Sequence, residues 1–192
     1  MKKIALTSLL TIFAVSAASA ATSPYVAAHI GYTAPNLTFY ENHKHNGAFY
    51  NDNFAYDLSF AAGVKSDLSK AFALRGEVEY DFINGTNLNN GNDIWVHTNT
   101  LLFNGYIDMK TVSALTPYIG AGIGYQWNHF DILEGFKPHG LAWQVGGGLS
   151  YALCDHLSMD FGYRYLSSVD KEGNAKIRAA YHQFRLGAAY AF

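Results

Sequence analysis

An eight-stranded, antiparallel, up-and-down transmembrane β-barrel, an all-β fold, is what the sequence predicts from three observations. Apolar and polar residues alternate with a period of two in several segments, which is the period of a β-strand. Aromatic residues make up 16% of the chain, yet no segment after the N-terminus has the roughly 18 consecutive apolar residues of a membrane helix. The N-terminus has the features of an export signal. This combination is typical of a membrane barrel.

The N-terminal residues predict a cleaved secretory signal peptide. Lys2 and Lys3 precede a largely apolar run from Ile4 to Val15, and Ala18-Ser19-Ala20 is a small-residue cleavage site. The apolar run is too short for a membrane anchor, which needs about 20 residues. We therefore expect residues 1–20 to be the signal peptide and residues 21–192 to form the barrel domain.

The segment Leu74–Phe82, LRGEVEYDF, is one example of this alternation, which is clearest in Phe54–Lys65. The even positions of Leu74–Phe82 are apolar, aromatic or glycine, and every odd position carries a charge. A soluble sandwich would bury the apolar face and leave the charges in water. We expect the reverse here, with the apolar face in lipid and the charges inside a closed barrel.

Eight segments have this alternation or fit it with one irregularity. In chain order they are Tyr25–Thr33, Phe54–Lys65, Phe72–Phe82, Ile94–Asp108, Pro117–Phe130, Leu141–Tyr151, Leu157–Leu166 and Ala179–Phe192. In the fourth, Ile94 and Val96 lie on even positions but Leu101, Phe103 and Ile107 on odd ones. A β-bulge near Thr98–Thr100 would switch the faces, with Asn104 and Asp108 inward.

The predicted connections alternate in length. Long ones follow the first, third, fifth and seventh strands (residues 34–53, 83–93, 131–140 and 167–178), and short ones follow the second, fourth and sixth (66–71, 109–116 and 152–156). Outer-membrane barrels have short periplasmic turns and longer extracellular loops. A soluble eight-stranded barrel would bury its apolar face and would not place both Trp127 and Trp143 on its wet side. The bacterial outer membrane is therefore the expected location.

Three motifs resemble those of the small eight-stranded outer-membrane barrels of Gram-negative bacteria. Thr116–Tyr125, TPYIGAGIGY, resembles the fifth-strand segment of the opacity-protein type, and NGYIDM, Asn104–Met109, precedes it at the expected distance. Aromatic residues alternate up to Phe192, as in the C-terminal signal read by the barrel-assembly machinery. The layout is similar to that of the OmpA transmembrane domain and OmpX. The resemblance implies a porin-family barrel that serves adhesion or envelope integrity.

The inward faces collect most of the charge. Eight strands leave an interior just wide enough for side chains, so buried charges there must pair or hold water. Carboxylates such as Glu77 and Glu79 could instead suggest acid–base chemistry, but we favour a structural ion-pair network. Its expected members are Asp57, Lys65, Arg75, Glu77, Glu79, Asp81, Asp108, Asp160, Arg164 and Arg185.

Other motifs give weaker signals. The glycines of GAGIG recur at period two and precede no helix, which argues against a nucleotide loop. His156, Ser158 and Asp160 share a strand face, as in a lipid A deacylase, but would lie at the periplasmic end, away from outer-leaflet substrate. His43 and His45 have no third ligand at a known metal spacing. We expect no catalytic, cofactor or metal site, and no enzymatic activity.

The predicted function lies in four extracellular loops, since the barrel is a scaffold. The first mixes Phe39, Tyr40, Phe49 and Tyr50 with charge, and the second is rich in Asn and Gly. These loops suit contact with host-surface or matrix molecules; a narrow polar channel through the barrel is the alternative.

Composition bounds the partners. A net charge of −2 gives no basic surplus for nucleic acid, and the single Cys154 cannot form an internal disulfide. The expected partners are outer-membrane lipid and lipopolysaccharide, and the barrel-assembly machinery through Tyr190 and Phe192. We expect a monomer.

Export predicts a defined mature N-terminus. N-terminal sequencing of protein extracted from outer membranes should begin at Ala21. Substitution of Ala18 and Ala20 by bulky residues should leave the precursor uncut, because the peptidase needs small residues there. Extracted wild-type protein that begins at Met1 would refute the signal assignment.

Overall fold

The computed structural model describes residues 22–41, 44–50, 55–87, 95–130, 138–172 and 175–192. Its strands are β1 Thr22–Glu41, β2 Lys44–Tyr50, β3 Ala55–Asp67, β4 Phe72–Asn87, β5 Trp95–Met109, β6 Leu115–Phe130, β7 His139–Ala152, β8 Leu157–Glu172 and β9 Ala175–Ala191. The predicted signal peptide lies outside the described residues. Among the residues that are described, no helix is long and apolar enough to cross a membrane.

Eight of the described strands close into one antiparallel barrel, which confirms the predicted fold class. Each of β3 to β8 pairs with the next strand along the chain, and β1 pairs with both β3 and β9. The closing seam is regular from Tyr25 opposite Ala191 to Glu41 opposite Ala175. Because every barrel strand has two neighbours, the sheet has no free edge in the barrel wall.

The ninth strand, β2, lies in the segment that the sequence analysis assigned to the first long connection. β1 continues past Thr33 to Glu41, and β2 returns antiparallel along its upper part, with Asn36 opposite Tyr50. β8 and β9 likewise extend beyond their predicted ends, to Glu172 and back to Ala175. Backbone pairing needs no apolar face, so the alternation that predicts strands loses its value where neither face meets a core or lipid.

The predicted bulge in β5 lies instead in β4. The pairing of β5 with β6 is regular from Val96 to Asp108, whereas the register of β4 against β5 shifts between Ile83 and Thr86. Two β4 residues, Asn84 and Gly85, there oppose His97. The described side chains of β5 keep one register from His97 onward, with Leu102 fully buried inside.

The two faces of the barrel wall have opposite polarity. Outward residues are apolar and exposed, as with Leu141 at 75% and Ile123 at 70%, while inward residues include Glu79, Asp81 and Gln126 at 0%. This is the inverse of a soluble protein, in which apolar side chains are buried. Three short turns, 68–71, 110–114 and 153–156, lie at the same end as Thr22 and Phe192.

The outward face should be sensitive to charge at mid-height. Val78 pairs with Ala62 and Phe103 on the outer surface, and Val78→Arg should cost about 2–4 kcal/mol of folding free energy in bilayers because the guanidinium enters hydrocarbon. Val112 lies fully exposed in a short turn, and Val112→Arg should cost about 0–1 kcal/mol. Unfolding by urea titration in lipid vesicles measures both, and equal costs would contradict the lipid-facing assignment.

Candidate functional site

The inward faces of five strands, β3, β4, β5, β8 and β9, carry the ten ionisable side chains singled out in the sequence. Eight of these residues are buried, and only Lys65 and Arg75 retain more exposure, at 39% and 15% of the side chain. The structure brings most of them into two groups. These residues lie on strands that are far apart in sequence. Closure of the barrel brings β8 and β9 close to β1, β3 and β4.

The central cluster consists of Glu79, Asp81, Arg164 and Arg185. Arg164 donates through Nη1 to Glu79 Oε2 at 2.9 Å and through Nη2 to Asp81 Oδ2 at 2.6 Å. Arg185 donates through Nη2 to Glu79 Oε1. The buried carboxylate of Glu79 therefore binds the guanidinium groups of Arg164 and Arg185, which lie on the neighbouring strands β8 and β9. Together these side chains cross the lumen at mid-height.

Further polar groups complete the central cluster. Arg185 also contacts Ser59 Oγ and lies with its Nε 3.7 Å from Asp57 Oδ2. The other oxygen of Asp57 accepts a hydrogen bond of 2.7 Å from the Thr33 hydroxyl. Gln183 donates to Asp81 Oδ2 at 3.3 Å. Hydrogen bonds of this kind offset the desolvation of buried charges, which Coulomb attraction alone does not reliably cover.

Glu77 is held without a guanidinium contact among the described hydrogen bonds. Its Oε2 accepts from the Tyr25 hydroxyl at 2.6 Å, and its Oε1 accepts from the Tyr106 hydroxyl at 3.0 Å and from Asn104 Nδ2 at 3.2 Å. Asn104 also donates to Glu79 Oε2 at 2.7 Å. The amide of Asn104 therefore bridges the carboxylates of Glu77 and Glu79 and reduces the repulsion between their charges.

The lower cluster, Lys65, Arg75 and Asp108, lies nearer the short turns. Asp108 accepts from Arg75 Nε at 2.8 Å through Oδ1 and lies 3.1 Å from Lys65 Nζ through Oδ2. The Arg75 guanidinium also lies 4.7 Å from the ring centroid of Tyr106 and 4.9 Å from that of Tyr118. Cation–π contacts of this geometry stabilise a partly desolvated guanidinium.

Asp160 belongs to neither cluster. It accepts a hydrogen bond of 2.8 Å from the Tyr118 hydroxyl and lies 3.9 Å from His29 Nε2. His156, which shares its strand face in the sequence, is exposed in a short turn, with Nδ1 3.0 Å from the Ala191 carbonyl oxygen. The structure therefore does not assemble His156 and Asp160 into a catalytic pair, and His43 and the side chain of His45 lie outside the described residues.

Glycines opposite the long side chains make the interior packing feasible. A methyl group at Gly122 would overlap the Asn104 amide, and one at Gly146 would lie 2.7 Å from Arg164 Cβ. In both cases the glycine is the direct cross-strand neighbour of the bulky residue. The same direct pairing holds for Gly31 with Asp57, Gly63 with Glu77, Gly120 with Tyr106, and Gly187 with His29.

Neutral side chains fill the interior above the central cluster. Gln126 donates to Ser168 Oγ at 2.8 Å, and the Thr98 hydroxyl donates to Asn128 Oδ1 at 2.7 Å. Tyr181 is fully buried in the same layer. This layer of amides and hydroxyls, the upper layer, covers the charges on the side away from the short turns.

Two cavities lie on the side of the short turns. One of about 50 Å³ is lined by His29, Glu77, Tyr106 and Asp160 among others, and holds a few water molecules at most. A second of about 270 Å³ opens at the barrel mouth beside Lys65, Asp108 and His156. The two cavities share four lining residues, Arg75, Ser150, Ser158 and Ala189.

The sequence analysis missed the neutral members of the network. Tyr25, Tyr106, Tyr118 and Gln183 each bond a charged group, yet none was singled out. Their inward parity was readable, since each lies on the polar register of its strand. One sequence feature could have indicated these residues: an inward-facing aromatic residue whose neighbouring strand is rich in glycine. Tyr106, directly opposite Gly120, is an example.

The arrangement can neutralise buried charge and fill a lumen. Glu77, Glu79 and Asp81 each accept a hydrogen bond from a guanidinium, hydroxyl or amide donor. Within the described part of the chain, no three His, Cys, Asp or Glu side chains lie close enough together to hold a metal ion.

The sequence family described as "Outer membrane protein beta-barrel domain" matches residues 5–192. The chain belongs to this family. It is accordingly a barrel of the bacterial outer membrane, as the sequence analysis expected. Its apolar outer face therefore lies in the lipid.

Known relatives agree with this assignment. The outer-membrane barrel is 30% identical to outer membrane protein PagN of Salmonella typhimurium, over 62% of this chain and 65% of PagN. It is 37% identical to an uncharacterized protein of Brucella abortus, over 35% of this chain and 29% of that protein. The match thus spans less than a third of the Brucella protein and just under two thirds of PagN.

A solved structure shares the fold. The crystal structure of Neisserial surface protein A superposes with a TM-score of 0.63 and 20% sequence identity, covering 89% of this chain and 99% of that one. At this identity the similarity supports the barrel architecture.

Energetic coupling in the central cluster should far exceed that of an exposed pair. Arg164→Met alone should cost about 3–5 kcal/mol because it leaves Asp81 and Glu79 buried without their cation. The double variant with Asp81→Asn should cost less than the sum of the single variants. Lys110 and Asp67 form an ion pair of the same 2.6 Å length near a short turn, and should couple by about 0–1 kcal/mol.

Double-mutant cycles by urea titration in lipid vesicles measure both couplings. Additive single substitutions at Arg164 and Asp81 would show that the buried network does not stabilise the barrel.

Proposed function

We propose that this outer-membrane barrel is a surface-display protein whose extracellular segments contact host-surface or matrix molecules, or support envelope integrity. The barrel is a scaffold in this proposal and carries no enzymatic activity. The opacity-type motifs Thr116–Tyr125 and Asn104–Met109 favour the same function.

The observation that carries the proposal is the filled lumen. The central cluster crosses the interior at mid-height, with Glu79 and Asp81 at 0% exposure and Arg164 at 3%. The upper layer covers it on the extracellular side. When the interior of a barrel is filled by its own side chains, binding of a partner takes place at the ends of the barrel.

The extracellular end supports the proposal through its backbone. β1 stays paired with β9 up to Glu41 and with β2 over Asn36–Glu41, so the strands continue past the predicted membrane span as a paired sheet. Four aromatic residues of the first predicted loop lie in the backbone of β1 and β2, Phe39, Tyr40, Phe49 and Tyr50. Aromatic residues held on a paired backbone lose little conformational entropy on binding.

A narrow channel is the second candidate, because both cavities lie below the central cluster. The larger cavity opens at the barrel mouth beside the short turns, and Arg75 lines both this cavity and the smaller one. A continuous path would require Arg164 or Arg185 to release its carboxylates. We therefore propose a closed resting state, in which any conduction depends on breaking those ion pairs.

The C-terminal residues remain the proposed contact with the assembly machinery. Phe192 N donates to the Pro24 carbonyl oxygen at 3.0 Å, and its ring packs edge-on against Tyr190. These contacts hold the last strand in the closing seam of the folded barrel. In this proposal, the assembly machinery recognises the last strand before that strand pairs with β1. We also propose that the folded barrel functions as a monomer.

Surface binding is tested by display on a non-adherent Gram-negative cell. Cells with the wild-type barrel should adhere to immobilised host-matrix proteins, and a variant with Phe39, Tyr40, Phe49 and Tyr50 changed to serine should lose most adherence. Leu68→Ser, at the exposed periplasmic turn, is the control that should adhere normally.

Planar-bilayer conductance of the same proteins separates the two candidates. Wild type should conduct little, and Arg164→Met more. Large, steady wild-type conductance without adherence would support the channel in place of surface display.

A further inference from the structure

The cavity of about 270 Å³ at the barrel mouth beside the short turns, which we call the vestibule, has two groups of polar side chains in its lining. The lower cluster lies on β3, β4 and β5. Hydroxyl side chains lie on the next three strands, β6, β7 and β8; they are Thr116, Ser150 and Ser158. A volume of this size holds several water molecules or one small solute.

The lower cluster has an excess of positive charge. Lys65 and Arg75 are direct cross-strand neighbours, and like charges in that position repel each other. Asp108 contacts Lys65 and Arg75 through one oxygen each, so two cations share one carboxylate and the cluster has a net formal charge of +1. An anion in the vestibule would balance this charge.

Nearby carboxylates do not remove the excess. Glu77 and Asp160 line the smaller cavity but not the vestibule, and each already accepts a hydrogen bond from a tyrosine hydroxyl. Asp155 lines the vestibule but lies exposed in the short turn 153–156, where water and salt screen its charge. The charged groups that reach the vestibule from the strands are thus those of the lower cluster.

The cations of the lower cluster retain hydrogen-bond donors without acceptors. Arg75 Nη2 is buried and has no hydrogen-bond partner, although Nε is bonded to Asp108 and the guanidinium lies over the rings of Tyr106 and Tyr118. Lys65 is 39% exposed and contacts a single oxygen of Asp108, which leaves further N–H donors of the ammonium group. Buried donors without a partner are rare in folded proteins and indicate a bound water molecule or ion.

The rest of the lining suits the carbon part of an organic anion. Ala189 and Ala191 of β9 pack against the apolar cluster that contains Tyr25, and all three residues line the vestibule. Ser150 and Ser158 add hydroxyl donors. A monoanion matches the net charge of the lower cluster, whereas inorganic phosphate has no apolar part and carries more than one charge at neutral pH.

We propose that the vestibule binds a small organic monocarboxylate. The carboxylate accepts charge-assisted hydrogen bonds from Lys65 and Arg75, and the carbon chain lies against Ala189 and Ala191. The central cluster fills the barrel beyond the vestibule, so the ligand binds at one end of the barrel and does not pass through it. This end is opposite the paired extension of β1 and β2, so the site is independent of the proposed surface display.

Ligand-observed NMR titration of the refolded full barrel, in a non-ionic detergent at low salt, tests the proposal with butyrate as the probe. Butyrate should bind saturably. Butyramide, the uncharged isostere, should bind at least about tenfold more weakly because it cannot form the charge-assisted hydrogen bonds. Inorganic phosphate should also bind more weakly than butyrate.

Variants identify the binding groups. Lys65→Gln should weaken butyrate binding about tenfold. Asp108→Asn should strengthen it, because this change removes the carboxylate that competes for the same two cations, whereas loss of a purely structural contact would weaken binding. Lys70→Gln removes the same charge from an exposed turn at the same end, outside the vestibule, and should bind butyrate as wild type does.

Alkylation of Cys154 locates the ligand. Cys154 is the single cysteine of the chain, is exposed and lines the vestibule. Saturating butyrate should therefore slow its reaction with N-ethylmaleimide, and butyramide at the same concentration should not.

A heat-dependent shift in gel mobility checks that each variant is folded. Equal binding of butyrate and butyramide by the wild type would overturn the proposal, as would tighter binding of phosphate than of butyrate. An unchanged affinity for butyrate in folded Lys65→Gln, or alkylation of Cys154 at the same rate with and without saturating butyrate, would also contradict it.

Discussion

The buried carboxylate of Glu79 is the point on which the interior depends. It accepts hydrogen bonds from Arg164, Arg185 and Asn104, which lie on three different strands. An ionised carboxylate without water is strongly disfavoured unless its oxygens are satisfied in this way. The barrel can therefore close only in a register that brings β8 and β9 to β4 across the lumen, and Glu79 helps to select that register.

Glycine supplies the space that this convergence requires. Arg164 and Asn104 each face a glycine directly across the strand pair, Gly146 and Gly122. A side chain at either position would collide with its neighbour. The wall therefore alternates between residues that fill the lumen and residues that make room, and the backbone of one strand lies close to the side chains of the next. In β6, Gly120 and Gly122 face Tyr106 and Asn104 of β5, and in β7, Gly146 faces Arg164 of β8.

Local sequence predicts which way a side chain faces but not which side chain it meets. Alternation of period two placed Glu79 and Arg164 on inward faces, and the fold class followed from the same pattern. Their contact joins residues 85 positions apart, and it depends on the stagger accumulated around the closed sheet. No short segment of the sequence determines this accumulated stagger. The extension of β1, β8 and β9 beyond their predicted ends could not be predicted for another reason. Backbone pairing continues there without an apolar face, so the sequence shows no alternation.

The β4 bulge illustrates how a correct expectation can rest on a misplaced feature. Asn104 and Asp108 were expected to face inward because a bulge was placed within β5, and both are buried. The irregularity lies at Asn84–Gly85 in the partner strand instead. Where two strands pair, an extra residue in either changes their relative register, so a break in hydrophobic pattern does not reveal which strand carries it.

Charge is thus sorted by direction as well as by height in this barrel. Inside, guanidinium, ammonium and carboxylate groups pair around Glu79 and Asp108. Outside, the histidine, lysine, arginine and carboxylate side chains that the structure describes on the strands are His97, His129, His139, Arg178 and His182, and these lie toward the strand ends away from the short turns. A scaffold whose interior is filled in this way can tolerate changes in its connecting segments without altering its core.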